Sequence, residues 1–228
     1  MTTSYPSHER DWAGHFVRQE VLELVRSGAR VTVLTARAVF SNDDGVETRQ
    51  LARMGRFPRA FALGSLLARA CTALRRDRFD RVIVHWALPI ALAVDDVELV
   101  SHGSDARILA TLPGRDAIAT ALVARARSWR FVSDALRDGL LRSLSPNAAR
   151  RLLARSFVRA ASIDMPDVGA RAAIIRARLG AFDVSVGRLV RSKRVDKAIE
   201  RAARTRDLLV VVGDGPERAR LERRAADR

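Results

Sequence analysis

The feature that most limits how this chain can fold is the unbroken apolar run Leu208 to Val212, which ends in Gly213-Asp214-Gly215-Pro216. A run of strand length without polar alternation suits a strand covered on both faces, as in a parallel sheet. Parallel strands need crossover connections, usually helical. The rest of the chain supplies them, because strand and helix periods alternate along it, the pattern of an α/β fold. Between Gly14 and Ser27, Val17, Val21, Leu24 and Val25 share one helical face, and Gly28 stands where a helix ends. Val31 to Leu34, Arg81 to His85, Glu98 to Ser101, Phe131-Val132 and Phe182 to Val186 read as strands. Helices are expected over Ala60 to Arg76, Arg115 to Arg127, Asp134 to Ser143, Ala148 to Ala154 and Val168 to Leu179. Another is expected on the face formed by Val195, Ala198, Ile199 and Ala202. Ser133 stands at an N-cap position, and Pro216 at the first position of a last helix. Arg37 to Arg59 has weak periodicity and reads as irregular, and Ile163 to Asp167 as the crossing between two domains, 1–165 and 166–228.

Composition narrows the class. Of 228 residues 48% are hydrophobic, enough for a core, but aromatics are only 5%, so that core must be mostly aliphatic. No apolar run approaches the roughly 20 residues of a membrane span, and Met1 to Arg10 has no signal-peptide pattern. The single cysteine, Cys71, excludes an internal disulfide and a cysteine-built zinc site. The simplest location is cytoplasmic, with peripheral contact at the inner face of the membrane. The net charge of +15 would attract anionic lipid weakly. Nucleic acid is not expected, since arginine is dispersed and not interleaved with aromatics. Lysine occurs only at 193 and 197.

The segment Val186-Gly187-Arg188-Leu189-Val190-Arg191-Ser192-Lys193 carries the most chemistry. A strand ends at glycine, a cation follows, and a second cation stands where a helix begins. Ligands of open parallel sheets bind beyond the strands' carboxyl ends, and a helix N-terminus there favours anions. Arg188 and Lys193 would therefore make a diphosphate site, although Arg188 alone could be a solvated loop cation. Gly213, Asp214 and Gly215 form a second edge of this kind, equally good as plain turn chemistry. His102 could be a loop histidine bonding backbone, His85 a packing residue, and Asp105 a helix cap, while Asp95 and Asp96 read as solvated.

The order of these segments, Val-Gly-Arg-Leu-Val at 186–190, Lys193, then Val-Val-Gly-Asp-Gly-Pro at 211–216, resembles the donor half of the family-4, group 1 retaining glycosyltransferases. Tyr5-Pro6, Ala13 to Val17, Glu20-Val21, Val84 to Pro89, Ser101 to Asp105, Val132-Ser133 and Ile163-Asp164 resemble the same family's N-terminal half. The resemblance implies a GT-B fold: two Rossmann-like domains with parallel sheets, the first on the acceptor side, the second binding the nucleotide-sugar donor. It implies a hexosyltransferase-like enzyme that needs no metal or other cofactor, with a glycan, lipid or small molecule as acceptor. By that resemblance Arg188 and Lys193 bind the donor diphosphate. Gly14 belongs to the same diphosphate-binding set by letting substrate approach the first helix closely, His102 is the catalytic residue near the transferred sugar, and Gly187, Gly213, Asp214 and Gly215 shape the donor edge. Acceptor recognition would involve Arg37 to Arg59.

Three departures accompany it. The family opens with an apolar strand ahead of the Tyr-Pro loop, whereas Met1 to Ser4 precede Tyr5, so the neighbouring strands are expected to be left unpaired. Ala87 to Glu98 is short for a crossover. The family's glutamate pair, which contacts the donor, falls beyond Arg228, so the second domain is expected to be incomplete and the enzyme truncated. A noncatalytic remnant binding anionic membrane or nucleic acid is the alternative of a different class. An epimerase or phosphorylase of the same fold is a third, although Lys193 and Lys197 lie in the wrong context for pyridoxal phosphate.

Overall fold

The computed structural model describes residues 1–2, 5–6, 11, 14–35, 43–51, 59–162 and 168–227, with only the backbone of 59–66. The expected domain crossing at 163–167 and most of the 37–59 segment lie outside the described residues. The chain divides into two compact units, Met1–Asp164 and Met165–Arg228. All the strand pairs described are parallel.

In the first unit, helix α1 (His15–Arg26) leads into strand β1 (Val31–Thr35). The expected helix stop is there: Gly28 adopts φ 90°, its N–H donates to the Val25 carbonyl (2.9 Å), and that of Ala29 donates to Leu24 (3.1 Å). Strand β2 (Val46–Gln50) pairs with β1. It falls inside the segment expected to be irregular. Its sequence, Val-Glu-Thr-Arg-Gln, is mostly polar and none of it is buried, so pairing and not an apolar period defines it. After α2 (Arg59–Arg76) come β3 (Ile83–His85), β4 (Val97–Ser101), α3 (Ser104–Thr111), α4 (Arg115–Arg125), β5 (Ala126–Phe131), α5 (Asp134–Ser143), α6 (Pro146–Arg155) and β6 (Ser156–Val158). Strands β3 to β6 form a sheet in sequence order.

The two sheets are joined by the first residues of the chain. The Met1 amino group donates to the Ile83 carbonyl, and the His85 N–H returns a bond to the Met1 carbonyl (2.9 Å). On the other side the Thr2 N–H donates to Leu34 (3.0 Å), and Thr2 pairs in parallel with Thr35. The expectation that β1 and β3 lose their common neighbour is therefore corrected over this stretch. The short crossover from Ala87 is a single 3-10 turn, Ile90–Leu92, followed by β4.

Other differences have local causes. The helix expected to reach Arg127 stops at Arg125, and the strand expected as Phe131-Val132 begins at Ala126. Two arginines inside β5 mask it: Arg127 is exposed and paired with Asp96, and Arg130 is buried. Helix α3 and strand β6 carry no expectation because they are too short to show a period. The core of this unit is aliphatic around one aromatic pair: Leu99, Leu109, Leu122, Leu140 and Leu152 surround Trp129 and Phe131, whose rings lie 5.4 Å apart.

The second unit contains α7 (Gly169–Leu179), β7 (Asp183–Val186), α8 (Val195–Thr205), β8 (Leu209–Val212) and α9 (Arg218–Ala226). Pro216 is not in α9, whose N-cap is Glu217; the Glu217 N–H instead reaches back to the Leu189 carbonyl (3.0 Å). The core is small: Leu189, Val195, Ile199 and Leu221, with Leu209 against them. No residue of α7 is buried, and Val186 is 74% exposed. Among the described residues no helix is long and apolar enough to cross a membrane.

Removing a fully buried side chain should be costly and removing an exposed one should not. Leu122→Ala is expected to destabilise the first unit by about 2–5 kcal/mol. Ile174→Ser, on the exposed face of α7, should change stability by no more than about 0.5 kcal/mol. Urea unfolding of the two variants checks the contrast.

Candidate active site

In the first unit the site is built at the carboxyl ends of β3 and β4, beside the start of α1. Gly14 caps α1 in the left-handed region, φ 77°, a conformation that costs glycine little. Phe16, in the first turn, lies against the imidazole of His102 with ring centres 4.4 Å apart. Trp86, just past β3, stands 4.8 Å from the same ring, and His85 stacks on it at 5.2 Å and 14°. His85 Nδ1 and His102 Nε2 are 3.0 Å apart, a hydrogen bond.

What fixes His102 is Asp105. This carboxylate is buried in the first turn of α3 and accepts four bonds: from the Ser101 hydroxyl (2.7 Å) and from the N–H groups of Ala87 (3.0 Å), Gly103 (3.2 Å) and His102 (3.3 Å). It is more than a cap. It ties the loop after β3 to the loop after β4, and Ser101 extends the network by accepting from the indole N–H of Trp129 (2.9 Å). Sequence reasoning leaves Asp105 as a cap because its donors come from residues scattered over 87–103. By contrast, Asp95 and Asp96 are largely exposed, as expected, and pair among the described residues with Arg125 and Arg127 respectively.

Burial dominates the electrostatics here. It pushes the His102 imidazole down to about 4, with Asp105 pulling it up and Arg130 pushing it further down. His85 is driven well below its usual value by burial, then by the Met1 amino group, His102 and Arg130. Both rings are therefore neutral at pH 7. Arg130, from β5, is paired with Glu20 of α1, while its Nε is buried without a partner. Arg159 also approaches Glu20, at 3.9 Å. Nearby, Arg18 grips Asp43 (Nε to Oδ2, 2.8 Å), and the Tyr5 hydroxyl donates to the same carboxylate (3.3 Å). The Arg18 bond lowers the Asp43 pKa, while burial, then Asp43, raises that of Tyr5. The pairing of Arg18 and Glu20 has no sequence signal, because their partners are 25 and 110 residues away.

In the second unit the candidate donor-edge residues gather at the carboxyl ends of β7 and β8. The two loops interlock through their backbones: the Gly187 N–H donates to Val212 (3.0 Å), and the Leu189 N–H donates to Asp214 (2.8 Å). Gly213 adopts φ 152°, and a Cβ there would stand 1.9 Å from the Gly187 carbonyl oxygen. One at Gly215 would stand 2.5 Å from the Leu189 oxygen. The glycines are thus required by close packing of one loop on the other, and this contact brings the two candidate loops together. Asp214 is 81% exposed and accepts from the Gly215 N–H (2.8 Å). Arg188 follows β7, and Lys193 closes a 3-10 turn one residue before the N-cap of α8. Both are exposed, and among the described residues Lys193 makes no ion pair. A cavity of about 510 Å³ opens between α8, β8 and α9, but neither Arg188 nor Lys193 lines it. No group of histidine, cysteine or acidic residues among those described could hold a metal ion.

No protein-family model matches the chain, and no curated protein sequence matches it. Among solved structures it resembles the crystal structure of WaaG, a glycosyltransferase involved in lipopolysaccharide biosynthesis, with a TM-score of 0.64 at 14% identity. The match covers 100% of this chain and 65% of the WaaG chain. The likeness is one of fold, and it makes this chain α/β of the Rossmann-like GT-B type.

Two outcomes follow. Because the folded-state pKa of His102, about 4, lies below the usual value of 6.5, the unfolded chain binds more protons between these pH values. Stability is fully present above pH 6.5 and falls as pH drops toward 4, by up to about 1.4 kcal/mol per pH unit for His102, with His85 acting in the same direction. Urea unfolding at pH 7 and pH 4.5 should show this, and His102→Leu should reduce the drop, leaving the part due to His85. Gly213→Ala should cost on the order of 3 kcal/mol in the second unit, read as faster hydrogen exchange in β8.

Proposed function

We propose that this chain belongs to a retaining glycosyltransferase, related to the family-4 group, that moves a sugar from a nucleotide-sugar donor to an acceptor hydroxyl. The observation that carries the reading is the placement of His102. It lies past the carboxyl end of β4, walled by the first turn of α1 and fixed by Asp105, where open parallel sheets bind ligands. In the second unit, Arg188 just past β7 and Lys193 just before α8 would supply the two cations that a leaving diphosphate needs.

In this reading the bond between the anomeric carbon and the diphosphate oxygen breaks while the acceptor oxygen bonds to that carbon on the same face. The acceptor proton passes to the departing phosphate oxygen. Arg188 and Lys193 would stabilise the charge that develops there, as preorganised cations do. His102, neutral at pH 7, would hydrogen-bond a hydroxyl of the transferred sugar or of the acceptor. No metal is called for in this scheme. The acceptor is a glycan, lipid or small molecule, and the +15 charge favours one presented at an anionic surface.

Thermal unfolding with a panel of nucleoside diphosphates tests the donor site. At a concentration 100 times Kd, one of them should stabilise the protein by about 2.7 kcal/mol, and Arg188→Ala combined with Lys193→Ala should abolish the effect. No shift with any diphosphate, alongside salt-sensitive binding to anionic vesicles, would favour the noncatalytic alternative.

A further inference from the structure

The stretch from Gly139 to Ser162 holds five arginines and no acidic residue. It folds as the end of α5, all of α6 and β6, and β6 is the outermost strand of its sheet. Helix α6 buries Ala148 and Leu152 against the core. Arg150, Leu153 and Ala154 are exposed on the opposite face, brought to one side of the helix by spacings of three and four residues. Leu153 is 52% exposed, and Phe157, two residues past the helix in β6, is 41% exposed.

What separates this face from the rest of the basic surface is that its charges lack partners. Arg142, Arg150 and Arg151 are exposed, and among the described residues none of them makes an ion pair or a side-chain hydrogen bond. Elsewhere in the unit Arg18, Arg49, Arg81, Arg125 and Arg127 are each held by a carboxylate. The acids of the adjoining helices α4 and α5 are already engaged. Asp116 accepts from the Ser145 N–H (3.2 Å), and Asp134 and Asp138 pair with Arg137. Arg115 adds a further cation at the turn between α5 and α6, where its Nε donates to the Ser143 carbonyl.

Uncompensated cations held on one face are attracted to a surface of opposite charge. The exposed leucine and phenylalanine among them select which surface. At the headgroup level of a bilayer, basic side chains meet lipid phosphates while apolar ones enter the acyl boundary. We propose that the α6–β6 face docks this chain on an anionic phospholipid bilayer, with Arg142, Arg150 and Arg151 against headgroup phosphates and Leu153 and Phe157 entering the boundary beneath them. The use of such docking, to reach an acceptor presented at that surface, rests on the transferase reading given above; the docking itself does not.

The test is flotation of the full chain with vesicles of phosphatidylcholine alone or mixed with phosphatidylglycerol, without nucleotide. Binding is expected only to the mixed vesicles and should weaken as salt is raised. Arg150→Glu combined with Arg151→Glu should weaken it at least about tenfold. Arg75→Glu combined with Arg76→Glu makes the same charge change at exposed positions ending α2, ahead of β3 at the other edge of the sheet. That variant should weaken binding by no more than about threefold, because charges farther than a Debye length from the lipid are screened. Leu153→Ser combined with Phe157→Ser should also weaken binding but leave its salt dependence in place. Equal losses for the two charge variants, no effect of the Leu153 and Phe157 changes, or no binding to mixed vesicles would overturn the proposal. So would binding to duplex DNA that is lost in the Arg150, Arg151 variant while vesicles are not bound, which would assign the face to nucleic acid. Vesicle docking as expected with no diphosphate bound leaves the docking face standing and the transferase reading without support; diphosphate binding without docking does the reverse.

Discussion

A buried carboxylate must find donors, because leaving its charge unsatisfied away from water would cost several kcal/mol. Asp105 finds four, and three are backbone N–H groups from two separate loops. That requirement locks the turn after β3 to the turn after β4. Trp86 and His102 are carried on those turns and His85 ends β3 just before the first of them, so one aspartate helps to set the geometry of all three. The same network reaches the centre of the core through Ser101 and Trp129. The site and the hydrophobic core of the first unit are therefore one construction, and substitution at the core aromatic pair would be felt at His102.

A second constraint acts in the other unit through backbone volume. There the loops ending β7 and β8 approach so closely that only glycine fits at 213 and 215. The contact holds Arg188 and Asp214 on adjacent loops although few apolar side chains are buried beneath them. Much valine surface on β7 and β8 remains exposed, so this unit depends more on backbone pairing than the first does. The first unit has the opposite balance, with a continuous aliphatic core.

Much of this was legible in the sequence, for physical reasons. Amphipathic helices with a stop or cap signal, such as α1 with Gly28 and α5 with Ser133, follow from local residues, and the Ser133 hydroxyl does accept from the Leu136 N–H. The valine-rich strands β1, β4, β7 and β8 follow from local residue type. Elements whose definition is nonlocal were not legible. Strand β2 is polar and exists by pairing with β1. Strand β5 hides Arg130, which is tolerable in a buried strand because Glu20 arrives from a helix 110 residues earlier. The joining role of Met1 and Thr2 depends on two strands far along the chain. At the site, the strand-end glycines, Arg188, Lys193 and His102 stood out by type and position. The hub Asp105 and the partner His85 did not, since each matters only through contacts made in three dimensions.

The central claim is that the edge formed by Gly187, Arg188, Lys193 and Gly213 to Gly215 binds a nucleotide diphosphate. The most direct measurement is an amide NMR titration of the chain with nucleoside diphosphates at physiological salt. The account predicts saturable shifts confined to 187–195 and 213–217, lost in the Arg188→Ala, Lys193→Ala double variant. Shifts scattered over the arginine-rich surface that vanish as salt is raised, or no saturable shift at that edge, would contradict it.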